Sequence, residues 1–165
     1  IHLRNGTEGH KIDTFWDSRY GAHFLTAYEI YLDNKFFGSG IKTFRKVCAL
    51  SKYEKIESKY REQRCNTHPH NIYFQLLGET GIVGFISIFS FFFYILIKII
   101  INFRKNISLT FNNKTTLAFF SLCCLFLHFC PLLPNGNFFN NWLNIITFIP
   151  MGIFLYSNHS NSRHD

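Results

Sequence analysis

Hydrophobic positions are interleaved with charge up to about residue 79. From Gly81 to Ile101 they run on with Lys98 as the single interruption. At about 1.5 Å of helical rise per residue, GIVGFISIFSFFFYILIKIII is long enough to cross a hydrocarbon layer about 30 Å thick, and Lys98 lies close enough to its end to snorkel. A second apolar segment, Leu117 to Leu133, stops at the turn Pro134 to Gly136. A third, Phe138 to Tyr156, opens on Asn140, Asn141 and Asn144 and contains Pro150, a kink position. Upstream, Phe24, Leu25, Tyr28, Ile30, Tyr31 and Leu32 predict an amphipathic helix over Arg19 to Asp33, capped by Asp17 or Ser18 and leaving through a left-handed Asn34. Ser51 to Gln63 is polar almost all round and reads as a solvated helix or a loop; residues 1–18 read as loop. Asn71 to Glu79 is expected to be helical, with Asn66 or Thr67 as cap and Pro69 near its start.

The fold class that follows is an all-α multi-pass membrane protein, a large helical loop followed by about three transmembrane helices. The connection Asn102 to Lys114 carries Arg104, Lys105 and Lys114 and no acid, so the positive-inside rule makes it cytoplasmic. Residues 1–79 then form a periplasmic loop with amphipathic helices, 80–157 hold the spans (81–101, 117–133, 138–156), and 158–165 form a cytoplasmic tail. Charge agrees: residues 1–79 carry 12 Lys or Arg and 9 Asp or Glu, residues 80–164 five basic residues and no acid. The net charge of +7 does not mean nucleic acid binding, because the basic residues of the first half are interleaved with acids. A chain that starts at Ile1 and concentrates its apolar residues in one half is expected to be a fragment. Of the five cysteines, Cys123, Cys124 and Cys130 lie in apolar sequence and read as small buried hydrophobes, while Cys48 and Cys65 could pair if the first half faces an oxidising compartment.

Chemistry concentrates in NTHPHN, Asn66 to Asn71. His70 is an imidazole near neutral pKa at what reads as a membrane surface, able to take a proton from an alcohol; helix capping is the bland alternative. Cys65, His68 and His70, completed by His2 or His10, make a partial metal set whose spacing matches no familiar zinc pattern, and no metal is assigned. Gly38 and Gly40 allow a turn whose N–H groups hold an anion, although an ordinary tight turn is the better reading. Arg19, Lys42, Arg45 and Lys46 could neutralise a phosphate or simply be solvated. His128 is an intramembrane functional candidate, with helix-to-helix hydrogen bonding the better reading. His2, His10, His23, His159 and His164 receive no role.

The run His70, Asn71, nine residues, Gly81, Ile82, Val83, Gly84 resembles the signature of the O-antigen ligase and O-antigen polymerase family of bacterial inner-membrane proteins. Ser18 to Arg45 is similar to that family's segment in which an arginine precedes an amphipathic helix and a G-x-G-x-x-x-F turn. Phe129 to Trp142 is similar to its Pro-rich outer turn and Asn-rich late span. The resemblance implies many transmembrane helices with a periplasmic loop above a lipid-facing cavity. It implies glycan transfer from an undecaprenyl-pyrophosphate-linked oligosaccharide to a sugar hydroxyl of a glycan or lipid A-core acceptor, at the inner membrane and among its lipids, without metal or cofactor. His70 then corresponds to the catalytic histidine and Arg19 to an arginine near the pyrophosphate, with Arg45, Lys42, Asn71 and His68 as substrate-binding candidates. Phe85 and Ile86 depart from the small hydroxyl residues of ligases, which leaves ligase and polymerase both open. The competing class is a non-enzymatic transport or partner-binding protein of polysaccharide export; no acid lies between Thr80 and His164 to line an ion path.

Overall fold

The computed structural model describes residues 15–106 and 113–161, and its described residues are helical or irregular, without strands. The middle of the connection Asn102 to Lys114, residues 107–112, most of the N-terminal loop with His2 and His10, and His164 lie outside them. Five α-helices follow in order: α1 (Arg19–Asp33), α2 (Phe44–Val47), α3 (Ile72–Asn106), α4 (Asn113–Phe129) and α5 (Asn141–Asn161).

Helix α1 has the predicted bounds, and Ser18 caps it by accepting a hydrogen bond from the Gly21 amide at 3.0 Å. Its tightly packed stripe is not the aromatic one the periodicity points to. Ala22, His23, Thr26, Ala27 and Ile30 are buried while Tyr28 and Leu32 are exposed, because small side chains let α1 come close to α3: a Cβ on Gly78 would already meet the Ala27 carbonyl at 3.1 Å. The exit at Asn34 is not left-handed (φ −138°); the positive φ falls at Gly38, whose amide donates to the Asn34 carbonyl at 2.8 Å.

Helix α3 carries the predicted span but is broken at Gly81, where φ is 67° and ψ −162°. The Tyr73 ring lies 5.8 Å from that of Phe89, although a straight helix would separate these residues by about 24 Å. Residues 72–80 therefore fold back beside the first turns after Gly81. The break exposes backbone groups, and the loop after α1 takes them up: Ser39 N and Gly40 N donate to the Gly78 and Glu79 carbonyls, and Ile82 N and Val83 N donate to those of Lys35 and Phe36 (2.8–3.4 Å). A Cβ at Gly81 would collide with the Phe36 carbonyl, and one at Gly38 with the Glu79 backbone, so glycine is required on both sides of the clamp.

Ser51 to Gln63 forms two short 3-10 turns, Ser51–Lys55 and Arg61–Gln63, rather than one helix, fastened by the Cys48–Cys65 disulfide and by Arg64 Nε donating to the Cys48 carbonyl at 3.0 Å. Helix α4 packs on both α5 and α3, with Phe92, Ile95, Leu122, Leu125, Phe129 and Phe154 at the core. Among the described residues one helix, Ile72–Arg104, is long and apolar enough to cross a membrane; Thr115–Phe129 and Asn141–Ser157 are shorter apolar helices. The helix expected as the second span ends four residues earlier than expected, at Phe129, because Cys130 and Pro131 begin the turn. The third starts at Asn141, Asn140 and its neighbours being used in that turn, and runs into the expected tail as far as Asn161.

Candidate functional site

The first limb of α3 runs parallel to α1: Phe24 stacks on Phe74 at 4.4 Å, and the His23 and Tyr20 rings each lie 5.5 Å from the His70 ring. Two helix N-termini thus open on one patch, each end carrying partial positive charge. Asn71 caps the second, where Asn66 or Thr67 was expected to: its Oδ1 accepts from the Tyr73 and Phe74 amides at 2.9 and 3.3 Å, and its Nδ2 donates to the Pro131 carbonyl at 2.9 Å. Its side chain is spent on the fold.

His70 occupies a left-handed conformation (φ 63°) that costs a residue with a Cβ on the order of 1 kcal/mol. The Asn135 amide holds it there by donating to the His70 carbonyl at 2.9 Å. The Thr67 amide donates to Asn66 Oδ1 at 2.7 Å, which turns Asn66 Nδ2 onto His70 Nε2 at 2.9 Å. In the neutral ring Nε2 is then the lone-pair nitrogen and Nδ1 carries the proton. Burial pushes the His70 imidazole below its ordinary value of 6.5, so it is neutral at pH 7 and carries a lone pair. His68 stands 4.3 Å away, ring to ring, between Thr67 Oγ1 (2.9 Å) and the Asn135 carbonyl (3.3 Å).

Three further residues join the site to the scaffold, and none was singled out in the sequence. Glu79, buried, accepts from the Phe44 amide at the start of α2 (2.8 Å) and from Gln75 Nε2 (3.0 Å). Gln75 in turn donates to Asn137 Oδ1 at 2.9 Å and accepts from the Phe138 amide at 3.0 Å. The glycine turn, the first limb of α3 and the α4–α5 turn are tied together here. A signal existed for Glu79, the acid nearest the apolar run; for His23 there was none.

Arg19, exposed, is the first residue of α1 and shares the His70 end of the molecule with Tyr20. Lys42, just before α2, and Arg45, within it, are also exposed; α2 starts against Glu79, about 13 Å along the limb from His70, so the structure does not bring them to the imidazole. The glycine turn is not an anion cradle, since the Gly38, Ser39 and Gly40 amides all bond to carbonyls. Cys65 is bonded to Cys48 and cannot serve as a ligand, and among the described residues no group of His, Cys, Asp and Glu could hold a metal ion. His128 pairs with Thr147 across α4 and α5 at 3.1 Å. Beside the patch, Trp16, Phe24, Leu25, Tyr28, Tyr73, Phe74, Leu77 and Phe85 enclose an apolar cavity of about 490 Å³.

Residues 16–89 match a family model described as O-antigen ligase. No curated protein and no solved structure matches the chain.

Proposed function

Over residues 16–89 the chain belongs to the O-antigen ligase family, and from that premise we propose that it transfers a glycan from an undecaprenyl-pyrophosphate-linked donor to a sugar hydroxyl, as a polymerase or ligase of surface polysaccharide at the bacterial inner membrane. The observation that supports this reading is a neutral imidazole beside two helix N-termini, one of which begins at the exposed Arg19. Partial positive charge and a guanidinium suit a pyrophosphate, whose negative charge grows as it leaves. The acceptor oxygen attacks the anomeric carbon, the bond from that carbon to the phosphate oxygen breaks, and the hydroxyl proton passes to His70 Nε2, displacing the Asn66 amide. His68, beside His70, contacts the sugar; Asn71 acts by holding the limb. The apolar cavity next to the patch suits the lipid end of the donor. The Cys48–Cys65 disulfide supports placing residues 1–79 in the oxidising periplasm.

The test is His70→Ala in the full-length protein, with lipopolysaccharide banding and lipid-linked glycan followed in a deletion strain. Transfer is expected to fall about 10²–10⁴-fold at unchanged membrane level. Lost ladder steps identify a polymerase, and accumulated lipid-linked polymer a ligase. Normal product would remove His70 from the reaction.

A further inference from the structure

Two ring nitrogens near the patch have opposite needs. His23 is 5 % exposed, and its Nε2 lies 3.0 Å from the Gln63 carbonyl, which only an N–H can satisfy. Its Nδ1 is therefore a lone pair, buried with no hydrogen bond, a state that costs about 1–3 kcal/mol. His70, with Asn66 on Nε2, carries its proton on Nδ1, which makes that nitrogen a donor. The two rings are 5.5 Å apart and tilted by 35°. We propose that His23 is a positioning residue for glycan transfer, its Nδ1 accepting the Nδ1–H of His70 as that ring becomes an imidazolium.

This rests on the catalytic reading of His70. The acceptor proton goes to His70 Nε2 and stays there until released to water; nothing is transferred to His23, which acts as a fixed dipole. A buried neutral imidazole does here what a carboxylate does in other orienting arrangements. Burial first, and then His70, hold His23 below its ordinary 6.5, which keeps the accepting lone pair free. The titratable groups facing it are Tyr20 on its own helix and His68 and His70 on the opposing segment.

Two substitutions in the full-length protein separate this role from a structural one. His23→Gln reaches the Gln63 carbonyl but offers no acceptor where Nδ1 stood; His23→Asn does the reverse. The proposal expects His23→Gln to lower kcat about tenfold with KM little changed and to move the acid limb of kcat/KM to lower pH, because the imidazolium has lost its acceptor, and expects His23→Asn to keep the limb. Carbethoxylation of position 70 against pH, resolved by peptide mass, gives the same comparison without turnover: its midpoint should fall in His23→Gln and hold in His23→Asn. Equal midpoints in wild type and His23→Gln overturn the proposal, as does the reverse ranking. If His70→Ala is inactive while both His23 variants behave as wild type, the pairing alone falls; an active His70→Ala removes the catalytic reading beneath it.

Discussion

At the scale of single residues, the site depends on which nitrogen of each imidazole holds the proton, and neighbours fix that. Asn66 is chosen by Thr67 and in turn chooses for His70. Asn66→Ala should therefore loosen the ring and lower transfer by about tenfold while leaving membrane levels unchanged, measured by glycan banding in the same strain. The histidines also predict a pH response. His23 has a folded pKa below 6.5, so the unfolded chain binds its proton more readily; the stability its burial contributes is present above about pH 6.5 and is lost as pH falls toward the folded value. Thermal unfolding of the intact protein should accordingly show a lower midpoint at pH 5.5 than at pH 7.5, and His23→Asn, with a smaller buried group that does not titrate, should flatten that difference.

At the scale of elements, the sequence is legible where structure is local. Ser18 as cap and the bounds of α1 follow from side-chain chemistry within a few residues, and the start of the main apolar run is marked by Gly81. That Gly81 is a fold-back was not legible, because a glycine ahead of an apolar run looks the same in a straight helix. Only the loop from Lys35 to Gly40, some 45 residues away in sequence, reveals it. Gly81→Ala would require a positive φ and a collision with the Phe36 carbonyl; an expected cost above about 2 kcal/mol would be read as lost membrane accumulation or a lower unfolding midpoint. Glu79→Ala leaves the Phe44 amide and Gln75 without their partner, and should cost about 2–4 kcal/mol by the same measurement.

At the scale of the molecule, the return segment from α2 to His70 is held by one covalent link. Cys48 and Cys65 are 17 residues apart, and closing a loop of that size contributes about 3 kcal/mol in the chain-entropy account. Paired replacement by serine should lower stability by that order and release Arg64, while reductant should have no effect on the serine variant. The sequence by itself determined the helical class, the apolar segment fit for a membrane, the length of α1 and, to within one residue, its cap, because periodicity, capping and turn chemistry act within a few residues. Tertiary structure alone decided that His23 faces His70, that Glu79 and Gln75 bind three distant segments, and that Lys42 and Arg45 lie two and a half turns along the limb from His70. Those outcomes depend on which surfaces meet when loops of 30 to 60 residues close, and closeness across such loops leaves no mark in local pattern.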